Sequence, residues 1–377
     1  MFGKRMKLFK LLGFEVRIDL SWLVIAVLVT WSLAAGLFPY LYPKLSRETY
    51  WIMGVVGALG LFASIVAHEF CHSLVARKFG MPMKGITLFI FGGVAEMGDE
   101  PPTAKAEFMM AIVGPLSSMA IGAVFYLIYR WGQSVGWSTP IIGVIYYIAY
   151  INGILAAFNL LPAFPLDGGR VLRSILWGAK DNLRWATRVS SSIGAAFGIG
   201  LIFLGVLQFI GGNVIGGVWM FLIGMFLRNA AQMSYQQLLV RKALEGEPVS
   251  RFMNANPVTV QDSITVENLV EDYIYKYHYK MFPVMAGEKL VGCITTRQVK
   301  EIPREEWSRE TIREVADPCS PDNSISPQTD AIKALAMMSQ GGISRLMVVD
   351  HGRLVGVVTL KDLLDFFSLK VELEEQS

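Results

Sequence analysis

Six apolar blocks run through the first two thirds of the chain, at about 20–39, 50–76, 105–130, 140–161, 190–210 and 213–232. A helix that crosses a bilayer needs about 20 mostly apolar residues, because it must satisfy its backbone polar groups internally once water is gone. The blocks therefore predict a polytopic α-helical membrane protein with about six transmembrane helices. Composition agrees: mean hydropathy is +0.44, and charged residues make up only 17% of the chain. The basic tail with Lys4, Arg5, Lys7 and Lys10 also fits the start of a secretory signal. The run from Leu20 to Phe38 is long enough to span, however, and no small-residue cleavage site follows it. It reads as a retained first helix.

Lys and Arg set the orientation. They gather in the N-terminal tail, after the second block (Arg77, Lys78, Lys84) and after the fourth (Arg170, Arg173, Lys180, Arg184, Arg188). The positive-inside rule then places both termini in the cytoplasm of a multi-pass cell-membrane protein; a prokaryotic cytoplasmic membrane is the expected location. Net charge is +3 with no basic stripe, which sets nucleic-acid binding aside. Cys71, Cys293 and Cys319 are too few and too scattered for a disulfide framework. Ahead of the first block, "GFEVRID" (13–19) alternates Phe14, Val16 and Ile18 with Glu15, Arg17 and Asp19. That period of two predicts a short strand at the interface.

Past residue 235 charges become regular and prolines punctuate short strand and helix patterns. The division expected is a membrane domain over 1–235, a linker over 236–248 and a soluble α/β module over 249–377. The module carries an internal repeat, at about 249–305 and 312–368. "FPVMAGEKLVGCITTRQV" (282–299) aligns without gaps on "LMVVDHGRLVGVVTLKDL" (346–363), 64 residues later.

The chemistry sits in the second block. "IVAHEFCHSLVARKFG" (65–80) holds two of the chain's four histidines. His68 and His72 are four apart, so a helix puts both on one face. Two imidazoles there can share a metal ion, and Glu69 can reach a water bound to it. This is H-E-x-x-H, the pattern of zinc hydrolases with Glu as general base. The alternative is a buried polar patch. Each ionisable group at the membrane centre costs about 2.5–3.5 kcal/mol, and a metal ion offsets that cost. Catalytic zinc usually has three protein ligands. "FNLLPAFPLDGGRVL" (158–172) supplies a candidate third in Asp167, behind a stretch broken by Pro162 and Pro165. Asp167 by itself reads equally as a helix N-cap; the missing ligand favours the metal. Asn159 reads as a hydrogen-bond donor near the site or as a packing residue.

H-E-x-x-H in one membrane helix, with "NLLPAFPLDGG" in a later one, resembles the site-2 protease family of intramembrane zinc metalloproteases (peptidase family M50), over roughly residues 13–232. The resemblance implies one Zn2+ held by His68, His72 and Asp167, with Glu69 as base and Asn159 assisting substrate or transition state. The implied activity is hydrolysis of peptide bonds in or near transmembrane segments of other membrane proteins, within the lipid bilayer. "TLFIFGGVAEM" (87–97) reads as an ordinary connecting hairpin. The resemblance implies a re-entrant β-hairpin whose Gly92, Gly93 and Val94 pair with an extended substrate. "GPLSS" (114–118) reads as close packing near the site, and Gly194 and Gly198 as a helix-packing G-x-x-x-G.

The C-terminal repeat resembles a tandem CBS pair, a module that binds adenine nucleotides in many proteins. "GVVTLKD" (356–362) matches its signature, which implies Thr359 and Asp362 as nucleotide contacts. "GCITTRQ" (292–298) departs at Gln298, so at most one good nucleotide site is expected. The module equally reads as a homodimerisation element alone. A different class of function, a metal-binding membrane sensor without proteolysis, stays open beside the peptidase. An intact Glu69 argues against it, since metal binding alone needs no base.

Overall fold

The computed structural model describes residues 6–81, 83–89, 92–97 and 100–374. The chain divides into two compact units, Met1–Tyr235 and Gln236–Ser377.

The first unit opens with two strands, β1 (Met6–Leu11) and β2 (Phe14–Ile18), paired antiparallel. Phe14, Val16 and Ile18 are buried while Glu15 and Arg17 are not, as the alternation predicts. Lys7 and Arg17 both bond Glu15 and hold its carboxyl down at about 2. Asp19 ends the strand and caps the next helix, its carboxylate accepting from the Ser21 N–H. That helix, α1 (Leu20–Ser32), passes through a π-helical turn (Leu33–Leu37) into α2 (Phe38–Leu41). Then come α3 (Arg47–Lys78), β3 (Met83–Phe89), β4 (Gly92–Met97), α4 (Ala104–Ser134) and α5 (Thr139–Asn159). The unit ends with α6 (Asp167–Lys180), α7 (Leu183–Ile210) and most of α8 (Val214–Leu244).

Among the described residues, five spans are long and apolar enough to cross a membrane: Leu20–Leu41, Arg47–Lys78, Ala104–Ser134, Thr139–Asn159 and Leu183–Ile210. They cover the first five blocks, and the sixth block lies inside α8. Val27 (68% exposed), Leu127 (67%) and Phe203 (62%) stand on the outer faces, which lipid and not water would cover. The fifth block alone had its start misplaced by some way: α7 begins at Leu183, capped by Asn182, whose side chain accepts from the Trp185 N–H.

Glycines set the close approaches. A Cβ at Gly198 would meet the Gly224 carbonyl oxygen at 2.7 Å, and one at Gly224 would meet that of Gly198 at 2.5 Å. Gly205 and Gly217 repeat this reciprocity at 2.8 and 2.7 Å, so α7 and α8 pack backbone to backbone at both levels. Gly194 does something else, as the site shows.

The strands form one sheet in the order β1-β2-β3-β4, with β2 parallel to β3 and β3 antiparallel to β4. The hairpin expected at 87–97 is therefore the edge of a larger sheet; Ile90 and Phe91 in it lie outside the described residues, as do Lys4 and Arg5. Arg77 ties the sheet to the end of α3. Its guanidinium donates to the Leu12 carbonyl at 2.8 Å and lies over the Phe14 ring, 4.8 Å from the centroid.

In the second unit α8 stays helical to Leu244, so the first part of the expected linker is helix. The elements that follow are β5 (Val260–Gln261), α9 (Val266–Asn268), a π-helical turn (Leu269–Ile274), α10 (Tyr275–Tyr277), β6 (Met281–Ala286), β7 (Lys289–Thr295) and α11 (Thr296–Glu301). The second repeat brings α12 (Ile312–Val315), β8 (Asp317–Pro318), β9 (Ser324–Ile325), α13 (Ala331–Gly341), β10 (Arg345–Asp350), β11 (Arg353–Thr359) and α14 (Leu360–Glu374). The sheets are β5-β6-β7-β8 and β11-β10-β9. Strand β6 starts at Met281 and β10 at Arg345, 64 residues on, and both hairpins shift register at the matching place, Val284/Met285 and Val348/Val349. The repeat read from side chains is thus a repeat of backbone geometry. Each half has its own core, one around Phe282, Ile294 and Ile312, the other around Leu346, Val348 and Val358.

Candidate metal centre

Ser64, His68 and His72 recur every four residues along α3, and all three are buried. Asn152 of α5, fully buried, donates to Ser64 Oγ at 2.9 Å and to its own Ile148 carbonyl at 2.8 Å. That tie fixes α3 against α5 one turn before the first histidine. Helix α4 fixes the imidazoles themselves. His72 Nδ1 donates to the Met110 carbonyl at 2.6 Å, and His68 Nδ1 shares a hydrogen bond with Ser118 Oγ at 2.9 Å. Both rings are held at the Nδ1 edge, so both Nε2 atoms point the same way.

Asp167 completes the group. It is the first residue of α6, but Leu166 holds the cap position and no side chain caps the helix. The Asp167 carboxylate instead reaches α3, with Oδ2 at 3.0 Å from His68 Nε2 and 3.2 Å from His72 Nε2. The two Nε2 atoms are 3.1 Å apart. Among the described residues, this trio is the one cluster of three such groups arranged to hold a metal ion. A tetrahedral zinc ion with ligand bonds of about 2.0–2.1 Å sets its ligands about 3.3 Å apart, close to this triangle. The donor set fits as well. With its Nδ1 hydrogen on Met110, neutral His72 presents a lone pair at Nε2, and the carboxylate oxygen presents another. Lone pairs that converge on one point repel unless a cation sits among them.

The chain makes room for this triangle with glycines. A Cβ at Gly114 of α4 would lie 2.1 Å from His72 Nε2 and 2.7 Å from His68 Nε2. Cβ atoms at Gly168 and Gly169 would strike the Leu160 carbonyl oxygen at 2.2 Å and the Phe164 nitrogen at 2.2 Å. One at Gly194 of α7 would strike the Phe164 carbonyl oxygen at 1.9 Å. The stretch from Leu160 to Leu166 is thus folded flat onto the start of α6 and pressed against α7.

The remaining expected site residues lie as follows. Glu69 is partly buried on α3 and stands in the field of His72, His68, Asp167 and Arg170. Asn159 is the last residue of α5, and its amide donates to the Leu155 carbonyl at 2.9 Å; no hydrogen bond joins it to the trio. Gly92, Gly93 and Val94 lie on β4 opposite Phe89, Leu88 and Thr87 of β3. Among the described residues β4 pairs with β3 alone, which leaves its other edge open, and it packs beside α3. In the second unit, the Thr359 hydroxyl and N–H both donate to Asp362 Oδ2, at 2.8 and 2.9 Å, and cap α14. Gln298 takes the same place beside Thr295 and also donates to the Val315 carbonyl at 3.1 Å. An amide can do both, which a carboxylate cannot.

From the sequence, 114–118 is expected to be a packing segment. Gly114 is that, but Ser118 bonds a histidine directly. The signal available was its spacing, four residues from a glycine on one helix face.

The chain matches the profile of Peptidase family M50 over residues 56–136 and 128–204, and that of the CBS domain over 249–305 and 312–369. It is 34% identical over 365 residues to the "Putative zinc metalloprotease Rip3" of Mycobacterium tuberculosis, covering 96% of this chain and 93% of that one. It is 32% identical to the "Putative zinc metalloprotease sll0528" of Synechocystis, covering 92% and 91%. Among solved structures, the site-2 protease from Methanocaldococcus jannaschii aligns with 62% of this chain and 95% of its own, at 29% identity and a TM-score of 0.44.

Proposed function

As the chain belongs to peptidase family M50 and carries a tandem CBS module, we propose that it is an intramembrane zinc metalloendopeptidase, hydrolysing peptide bonds in or near transmembrane segments of other proteins. The observation that carries this reading is the triangle of His68 Nε2, His72 Nε2 and Asp167 Oδ2, with edges of 3.0–3.2 Å. These three residues would hold the zinc. When bound, the ion supplies a Lewis acid for the scissile carbonyl and lowers the pKa of water toward neutrality.

The protein's own groups do the rest. Glu69, adjacent to His68 on α3, takes the proton from the attacking water and returns it to the leaving amine. Asn159 ends α5 where the chain turns toward Asp167; its amide supports the developing oxyanion after letting go of the Leu155 carbonyl. The open edge of β4 receives the substrate as an added strand. A transmembrane helix hides its peptide bonds, so it must unwind, and strand pairing satisfies the backbone groups that unwinding exposes. Gly92 and Gly93 keep that edge free of bulk. The basic connections favour an orientation with both termini in the cytoplasm. The CBS pair regulates or dimerises the enzyme, with Thr359 and Asp362 as the contacts for an adenine nucleotide.

The test is zinc content together with cleavage of a transmembrane peptide labelled at both ends, co-reconstituted in liposomes. The unmodified protein should carry about one zinc and cut. Glu69→Gln should keep the zinc and lose cleavage, and His68→Ala and Asp167→Ala should bind zinc more than 100-fold more weakly and lose cleavage. Undiminished cleavage by Glu69→Gln, or a folded protein with no zinc, refutes the proposal.

A further inference from the structure

One buried cluster has no part in the chemistry above. Glu107, in the first turn of α4, is 0% exposed, and Arg173, in the middle of α6, is 3% exposed. Arg173 Nε donates to Glu107 Oε1 at 2.6 Å, and Nη2 contacts the same oxygen. Nη2 also donates to Glu100 Oε2 at 3.2 Å, and Nη1 reaches Thr187 Oγ1 of α7 at 3.5 Å. The Phe164 ring faces the guanidinium at 5.0 Å, and Arg170 Nε stands 3.9 Å from Glu107 Oε1. A buried ion pair is a poor way to gain stability, since well-packed apolar side chains do as well or better. Its planar fork is a good way to fix direction.

What it fixes is the segment around Asp167. Phe164 lies three residues before that aspartate, and Arg170 and Arg173 lie three and six after it. Of the three converging atoms, two come from α3 and are held by α4. The third arrives on a separate piece of chain, and its distance to the histidines depends on how α6 docks on α4. Arg173 and Glu107 join those two helices. Glu100 extends the tie to the segment leaving β4, and Thr187 to α7. We propose that Arg173, clamped on Glu107 and Glu100, is the positioning residue that holds Asp167 at the His68–His72 pair. This rests on the metal-site reading given above.

The test is the zinc affinity of the full-length protein in detergent, measured against a chromophoric chelator, beside thermal unfolding of the zinc-free form. Glu107→Leu/Arg173→Met removes both charges and leaves neither orphaned. It should unfold near the parent temperature and bind zinc 10- to 100-fold more weakly, the range for lost outer partners of metal ligands. In an Asp167→Ala background the same pair of changes should cost nothing further, because the residue it positions is gone. Parent-like affinity overturns the proposal, and so does an equal loss in both backgrounds, which would mark a general loosening. If the double variant does not fold, Arg173→Lys replaces it under the same criteria, since it keeps the charge and loses the fork. A parent protein that binds no zinc refutes the metal site itself, and the clamp's role falls with it.

Discussion

Gly114→Ala adds one carbon directly against both imidazoles of the site. That carbon would sit 2.1 Å from His72 Nε2, 2.4 Å from His72 Cε1 and 2.7 Å from His68 Nε2. Ordinary contact is about 3.5 Å, so the closest approach is short by roughly 1.4 Å. Relief must come from the imidazoles or from α4. Helix α4 cannot retreat without cost, because Met110 and Ser118 on it hold both Nδ1 atoms. A zinc site tolerates about 0.2 Å of error in its ligand distances, so turning His72 aside by the required amount removes it as a ligand. Losing an outer partner costs 10- to 100-fold in affinity; losing a ligand should exceed 100-fold, or more than about 2.8 kcal/mol. Stability should fall only modestly: overpacking costs about 1–3 kcal/mol, and alanine's advantage over glycine inside a helix, about 1 kcal/mol, offsets part of it, so the zinc-free variant should still fold and unfold somewhat below the parent temperature. Chelator competition reads the first quantity and a thermal melt the second. A variant that melts normally and binds zinc within threefold of the parent would refute the reasoning, because α4 and α3 would then not be as close at the site as the structure has them.

Three further outcomes follow from the same geometry. Ser118→Ala should weaken zinc binding about 10- to 100-fold by freeing the His68 ring, and unchanged affinity in chelator competition would count against that hydrogen bond. Gly194→Ala should lower the thermal stability of the zinc-free protein by about 1–3 kcal/mol, the usual cost of overpacking, since its Cβ would strike the Phe164 carbonyl oxygen at 1.9 Å; a parent-like melt would contradict it. In the second unit, burial pushes the Cys293 thiol up to about 11, while Cys319 is exposed. Only the thiolate alkylates, and at pH 8 about one Cys293 in a thousand is ionised. Peptide mapping after iodoacetamide should find Cys319 labelled first, with Cys293 labelling rising as pH approaches 11; equal labelling at pH 8 would overturn the assignment.

The parts of this protein that were legible beforehand are those whose physics is local along the chain. Apolar block length reports spanning helices because the bilayer imposes it, and the first four spans begin within a few residues of where hydropathy puts them. A four-residue spacing places His68 and His72 on one face without any knowledge of the fold. Asp167 was ambiguous between cap and ligand; in the structure Leu166 takes the cap position and the Asp167 carboxylate turns to α3. Gln298 marked a departure in the first half of the C-terminal repeat, but not what its amide does there, which is to donate to the Val315 carbonyl. What stayed hidden depends on how helices are rotated against each other. Gly194 and Gly198 read as one packing motif, yet one faces Phe164 and the other faces α8. Gly114 looked like any small residue in a membrane helix. Glu107 and Arg173 did leave a trace, since a carboxylate next to an apolar run and an arginine among apolar neighbours each need a partner. Several pairings would have satisfied that need equally well. The choice among them is made by the glycines at 168, 169 and 194, which let the chain between α5 and α6 lie flat enough for α6 to reach α4. The metal triangle and the buried clamp therefore depend on one docking event, and a substitution that lifts α6 should disturb both together.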